Sequence, residues 1–428
     1  MSKEIKEQLQ GKRLLLLGGS LWKEAIKRIA DKYDITLIAT GNSQKAGIFE
    51  IASEKYNVNS TNSEAMKRLI IEKKIDGVYM GGNETVISAA CVYLEELGMP
   101  CYCKKKQWDS LQDKRKFKEL CVTHNLPVVP ELNLEQTHDT SFEFPVITKP
   151  ADGCGSSGFT VCHNMKELEN GIKRAKENSP TQQIILEKFV KNDGVVVFYT
   201  VSNGKLYFSG LEDKYPVRYE KQGSYVGGLF VFESKLKDEF REKFERQIAE
   251  LVDDLGIKEG SFWIEVFYDG ANFYFNEAGY RYGGSASIYP INYIYGINQV
   301  ASDIFYALTG KSCLEGLISI IPEGVPQKAF YAVYPLYAHK GKISKIIGYE
   351  DLKQWTEIVT VINKSEIGDF IEESGTFSQA VALVHFVFND INEAKDIIDR
   401  IHSTYQLLNE NGENMIERML KIEKLELK

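Results

Sequence analysis

No CxxC pair, HExxH or HxH spacing occurs among the seven cysteines and six histidines of this 428-residue chain, so no zinc site is expected. The cysteines (91, 101, 103, 121, 154, 162 and 313) are odd in number, which fits reduced thiols. Cys101-Tyr102-Cys103 is a short pair that a metal or a redox couple could use, but buried thiols at a strand end account for it more simply. No apolar run approaches the roughly 20 residues of a spanning helix, and the N-terminus MSKEIKEQLQGKR is charged from the start, so a soluble, cytoplasmic protein is expected. Basic excess is missing too. A formal charge of −8 and a pI near 5.5 argue against nucleic acid or an anionic membrane as the main partner. After the first strand GxGxxG is absent, which leaves NAD binding without its fingerprint there, and no GK[ST] follows the glycine-rich run DGCGSSG, which is therefore not a Walker A loop. Neither an internal repeat nor a low-complexity linker interrupts the chain.

What is present is strand and helix in alternation. The length suits two to three domains. From residue 12 to about 105, Arg13–Leu17 runs into Gly18-Gly19-Ser20, Ile35–Ala39 follows a helical stretch, and Gly77–Met80 runs into Gly81-Gly82-Asn83-Glu84, which predicts a parallel sheet. The GGS turn can cradle a phosphate at a helix start. Glu84, at a strand end, is either a substrate-site carboxylate or a helix-start residue stabilised by the dipole. A helix is expected from Trp108 to about His124. The strand Phe144–Pro150 then delivers Lys149 to the loop Asp152–Gly158, DGCGSSG, which is either a phosphate-wrapping loop or a glycine-rich hairpin turn.

Past a helix around Met165–Glu177, Gln183–Val190 reads as an apolar strand whose end can offer backbone groups to an adenine edge. Val195–Val201 and Leu206–Gly210 read as a hairpin with an Asn203-Gly204 turn. Lys214 and Arg218 fall in an expected loop, as substrate or phosphate contacts or as solvated charges. Lys235–Leu255, Gln299–Leu308 and Ile391–Leu408 are expected helices, and Phe330–Tyr337, Lys342–Ile347 and Val381–Phe388 expected strands.

The most informative stretch is Gly260–Gly284, GSFWIEVFYDGANFYFNEAGYRYGG. Aromatic and β-branched residues from Ser261 to Tyr268, an Asp269-Gly270 turn pair and renewed alternation from Asn272 to Asn276 predict a β-hairpin. Alternation lets Glu265 and Glu277 share one face, and two carboxylates there repel unless a cation sits between them. A hard cation such as Mg²⁺, bridging to substrate phosphate, meets that need, whereas a solvated hairpin is the plain alternative. Arg281 follows, able to hold an anion bidentately. Ser285 and the tyrosines beside it can line an acceptor pocket.

The order of these pieces resembles the ATP-grasp superfamily from about residue 1 to 400. The resemblance rests on Asp113-Lys114, FPVITKP ending at Lys149-Pro150, the loop DGCGSSGF, the hinge LEKFV at Leu186–Val190, and Glu265, Glu277 and Arg281. It implies a mixed α/β and α+β chain: a Rossmann-like pre-ATP-grasp domain over 1–107, an ATP-grasp domain over 108–310 with a small lobe at about 140–190, and a C-terminal α+β lobe over 311–428 similar to those of biotin carboxylases and L-amino acid ligases. Carried over, Lys114 and Lys149 bind ATP phosphates, Ser156 and Ser157 form the mobile flap, and Glu187, Lys188 and Val190 contact adenine. Asp193 stands in for the ribose ligand. Glu265 and Glu277 hold Mg²⁺, two ions as a rule, with Mn²⁺ an alternative. Arg281 and Lys149 act on the reacting groups, with Glu84, Lys214, Arg218 and Ser285 as substrate contacts. One departure stands out: many members carry Asn where this chain has Gly279.

The implied function is an ATP-dependent carboxylate–amine ligase acting through an acyl phosphate. Rivals are a bicarbonate-using carboxylase or carbamoyl-phosphate type enzyme, and a degenerate nucleotide-binding protein. Small-molecule substrates are the expected partners, and analogy alone suggests a homodimer through the N-terminal lobe.

Overall fold

The computed structural model describes residues 2–42, 47–135, 142–151, 158–190, 194–219 and 224–427. Ser156, Ser157 and Asp193, named above, lie outside the described residues. The N-terminal strands β1 (Arg13–Leu16), β2 (Thr36–Thr40), β3 (Glu54–Tyr56) and β4 (Gly77–Tyr79) form a parallel sheet in the order β3-β2-β1-β4. Leu14, Leu15 and Leu16 are fully buried, as a strand covered by helices on both faces requires. Asn62 and Asn83 cap the helices Ser63–Glu72 and Glu84–Glu96, each accepting a hydrogen bond from a first-turn N–H at 3.1 Å.

The single helix expected up to His124 is two, Lys105–Gln112 and Lys114–Thr123. Asp113 breaks it, because its carboxylate accepts the N–H groups of Arg115 and Lys116 at 3.0 Å and its own backbone is extended. The break makes Lys114 the first residue of a new helix.

A small antiparallel sheet follows: β5 (Val146–Pro150), β6 (Thr160–Cys162) and β7 (Ile184–Lys188) in the order β6-β5-β7. The helix Met165–Glu177 covers it, packing Leu168 on Val146, Cys162 and Leu186. That helix lies close: a Cβ at Gly171 would come within 2.5 Å of the Thr148 hydroxyl.

The main sheet is antiparallel and, among the described residues, has nine strands. Its path begins with β8 (Val195–Ser202), β9 (Lys205–Tyr219), β10 (Ser224–Phe232), β11 (Gly260–Tyr268), β12 (Phe273–Gly279) and β13 (Phe330–Ala338), ordered β12-β11-β8-β9-β10-β13, and continues through Ala380–Phe388 and Ile358–Asn363. The expected loop holding Lys214 and Arg218 is instead the outer half of β9, a strand of 15 residues. Pro216 is tolerated there because it faces Gly227 beside a register shift in β10, where the ladder is already interrupted. The β10–β13 pairing carries the sheet across the working boundary at residue 310.

The helix Gln299–Thr309 packs back on the N-terminal sheet, so tightly that a Cβ at Gly77 would meet the Ala307 carbonyl oxygen at 2.4 Å, while Lys12 Nζ donates to the Leu308 carbonyl at 2.9 Å. Two C-terminal expectations change. The helix from Ile391 stops at Thr404, since Gln406–Leu408 leaves to pair with Lys345–Ile347, and Lys342–Ile347 is accordingly two short strands. Among the described residues no helix is long and apolar enough to cross a membrane.

Candidate active site

The hairpin β11–β12 brings Glu265 directly opposite Glu277. Its turn is four residues long, Asp269–Asn272, rather than the two-residue Asp269-Gly270 turn that the sequence suggests: the Asp269 carboxylate accepts the N–H groups of Ala271 and Asn272 at 2.9 and 2.8 Å. From the pair Tyr268–Phe273, strict alternation would set Glu265 against Asn276 and turn Glu277 away. A register shift between Glu265 and Val266 absorbs Asn276 as an extra residue and returns Glu277 to the face of Glu265. The bulge residue is itself useful. Asn276 donates through Nδ2 to Glu265 at 2.7 Å and accepts from Lys149 Nζ at 3.1 Å.

Cross-strand pairing extends the row. Glu277 faces Glu265, Glu265 faces Val196 of β8, and Val196 faces Glu212 of β9, so all four side chains stand on one face of the main sheet. Lys214, two residues along β9 from Glu212, forms an ion pair with Glu265. Lys114 Nζ, on the restarted helix, lies 3.5 Å from Glu277. Burial alone would raise the pKa of Glu265, but the Lys214 ammonium outweighs it and keeps the group below the ordinary carboxylate range.

Facing this row, the small sheet presents a second cluster. Glu187 is 1% exposed, pairs with Lys149 at 2.8 Å and with Lys118 through its other oxygen, and is held below the usual carboxylate pKa by the two ammonium groups against the opposing effect of burial. Both oxygens are therefore engaged by lysines, where the sequence suggested an adenine contact. Lys118 was not foreseen. Its one signal is its place a helical turn after Lys114, on the same helix face. A continuous polar chain thus runs from Lys118 through Glu187, Lys149, Asn276 and Glu265 to Lys214.

Arg281 points its guanidinium at Glu84 of the N-terminal lobe, at 2.5 and 3.2 Å, donates to the Tyr282 carbonyl at 2.9 Å and lies 5.4 Å from the centroid of the Trp263 ring. Glu84 opens a helix, as one reading of it has it, and pairs with Arg281. At Gly279 a side chain has no room: a Cβ would lie 2.5 to 2.6 Å from the indole of Trp263, its cross-strand partner. Of the remaining expectations, Lys188 is exposed and pairs with Glu143 at 3.1 Å, Val190 is half-buried at the strand exit, and Arg218 is exposed on the outer part of β9. Of the thiols at Cys101-Tyr102-Cys103, the sulfur of Cys103 lies 3.0 Å from that of Cys91, and Cys101 donates to the Cys103 carbonyl at 3.0 Å.

Two cavities adjoin. One, of about 480 Å³, is bounded by the carboxylate row, Lys214 and Ser285, by the apolar side chains of Val196, Phe198, Phe230 and Trp263, and by Thr376–Ser378 from the C-terminal part. Glu212 is 2% exposed there, with the Ser285 hydroxyl donating to it at 3.4 Å, and burial pushes its pKa up to about 8. The other, of about 670 Å³, is the cleft at the strand ends of the parallel sheet, lined by Gly18–Trp22, Asn83 and the backbone of Arg281–Gly284. Gly283 and Gly284 border both.

Comparison with known proteins bears on the fold. Residues 111–270 match the family model described as the ATP-grasp domain. In sequence the chain is similar to the formate-dependent phosphoribosylglycinamide formyltransferase of Wolinella succinogenes, 26% identical over 282 residues, which is 63% of this chain and 70% of that one. In structure it is similar to the L-amino acid ligase of Bacillus licheniformis, with a TM-score of 0.72 and 19% identity over 94% of this chain and 100% of the other. It is also similar to the biotin carboxylase domain of 2-oxoglutarate carboxylase from Hydrogenobacter thermophilus, solved with MgADP and bicarbonate, with a TM-score of 0.73 and 18% identity over 95% and 91%. The fold is that of the ATP-grasp proteins, as the order of motifs implied.

Proposed function

We propose, from the premise that residues 111–270 form an ATP-grasp domain and that the chain is a ligase of that kind, that it joins a small carboxylic acid to an amine through an acyl phosphate, releasing ADP and phosphate. The observation that carries this reading is the pair Glu265 and Glu277, directly opposite each other and ringed by Lys114, Lys149 and Lys214.

The donor set fits a hard divalent cation: two carboxylates on one face, now held by ammonium groups that such an ion displaces. Glu265 and Glu277 would hold Mg²⁺ in this reading, two ions as a rule, with Mn²⁺ as an alternative, and Gly279 would bring no ligand. The bound ion supplies charge neutralisation to the phosphates of ATP. Lys114 and Lys149 add positive charge from the helix start and from the small sheet, and Lys118 with Glu187 fixes where the Lys149 ammonium sits. Lys188 and Val190 offer the hinge to adenine, Asp193 serves the ribose, and the loop with Ser156 and Ser157 covers the phosphates and excludes water. Arg281 meets the charge that develops on the activated carboxylate, and Glu84 orients it. A carboxylate needs this activation because oxide is a poor leaving group. No nucleophilic serine or cysteine is required.

The apolar walls of the 480 Å³ cavity favour an organic acid over bicarbonate. Phosphate release from MgATP across a panel of carboxylates paired with amines tests the reading. Release that depends on one acid and one amine, and is lost in Glu277→Gln, supports it. Release that needs bicarbonate replaces it with the carboxylating reaction, and nucleotide binding without turnover replaces it with a nucleotide-binding protein. The divisions at 107 and 310 and a homodimer through the N-terminal lobe belong to the same proposal.

A further inference from the structure

Glu212 has no part in the chemistry above, yet it is a carboxyl buried to 2% exposure in the wall of the reaction cavity. Its cross-strand neighbour is Val196, with Phe198 and Phe230 on the flanking strands, so apolar side chains stand on both sides of it. The Ser285 hydroxyl supplies a hydrogen bond at 3.4 Å, and Lys214, two residues along the strand, attracts Glu212 but makes its ion pair with Glu265. A carboxyl in so apolar a place is costly unless a cation completes it. Because Glu212 and Glu265 are separated by Val196 in one row, their backbones lie two strand spacings apart, about 10 Å, which leaves room between them for a small ligand held at Glu212 and for the group it reacts with.

We propose that Glu212 is the ammonium-binding residue of an amino-acid subsite, so that the carboxylate substrate is an α-amino acid with an apolar side chain. The ammonium pairs with Glu212 beside the Ser285 hydroxyl, the side chain lies against Phe198, Phe230 and Trp263, and the carboxylate points along the row toward Glu265 and Glu277. The identity of the activated group rests on the ligase reading; the ammonium contact does not.

The test compares L-phenylalanine and L-leucine with 3-phenylpropanoate, which lacks only the amino group of phenylalanine, by calorimetric binding in the presence of MgADP and by phosphate release from MgATP. The wild-type protein should bind at least one of the amino acids tenfold or more tightly than 3-phenylpropanoate. Glu212→Gln should erase that preference by weakening the amino acid tenfold or more, leaving MgADP affinity within twofold, and Ser285→Ala should weaken it by a smaller factor. Thermal melting establishes that each variant is folded; should Glu212→Gln unfold, Ser285→Ala carries the comparison. Equal binding of phenylalanine and 3-phenylpropanoate overturns the subsite, as does no binding of either amino acid, or an equal loss for both ligands in the variant. Glu212-dependent amino-acid binding without phosphate release from any acid and amine pair would leave the subsite standing and sink the ligase reading. Turnover of an acid without an amino group, indifferent to Glu212, would do the reverse.

Discussion

At position 279 the absence of a side chain has a direct cause, the indole of Trp263 packed where a Cβ would go. Gly279→Asn should therefore lower stability by about 1–3 kcal/mol through overpacking, read as a lower urea midpoint, and adding Trp263→Val should recover most of the loss. Glu212 makes a second residue-scale prediction. Its pKa is raised by burial from 4.5 to about 8, so its contribution to stability is complete below pH 4.5 and is lost as pH rises through 8. The ligand-free protein should melt at falling temperature between pH 5 and 9, and Glu212→Gln should flatten that slope. None of this was legible beforehand. Glu212 reads in sequence as one charge among the turn-like residues LEDKYPVRYEK, and burial is what singles it out.

Among elements, the hairpin shows both what sequence conveys and where it stops. Aromatic alternation makes β11 and β12 readable, and a shared face for Glu265 and Glu277 is expected from it, but their direct pairing is not something simple alternation produces. The bulge that absorbs Asn276 does. Deleting Asn276 should remove the bulge and leave Glu277 opposite Glu265 in unbroken alternation, but cut the link from Lys149 to Glu265, with a loss of Mg²⁺-dependent phosphate release of roughly tenfold and an unchanged far-ultraviolet dichroism spectrum. A similar lesson comes from β9, whose outer half looks like a loop because it carries Lys214, Pro216 and Arg218. A strand needs only one buried face, and a proline fits where the neighbouring ladder is already broken. Asp113 is the converse case, a side chain whose competition for backbone N–H groups outweighed a good helical pattern.

For the molecule as a whole, the ion pair between Arg281 and Glu84 joins the end of the Glu265–Glu277 hairpin to the N-terminal lobe, and the helix Gln299–Thr309 packed on Gly77 fixes their separation. Glu84→Gln should lower kcat by roughly tenfold to a hundredfold through misplacement of Arg281 while the Kd for MgADP is unchanged, a split that steady-state rates and calorimetry together resolve. The layout of lobes was legible because five motifs occur in a fixed order; the contacts between lobes were not, since Glu84 and Arg281 are 197 positions apart and nothing local announces that they touch. The carboxylate row has one more implication, for how such a chain can change through time. Strand pairing spaces Glu212, Glu265 and Glu277 like marks on a ruler, about 4.8 Å to the strand. Gaining or losing one residue inside β8 or β11 would reverse every mark beyond it at once. Descendants of this sequence are thus free to exchange side chains beside the row, and to lengthen the turns outside it, but the paired segments themselves are fixed in length.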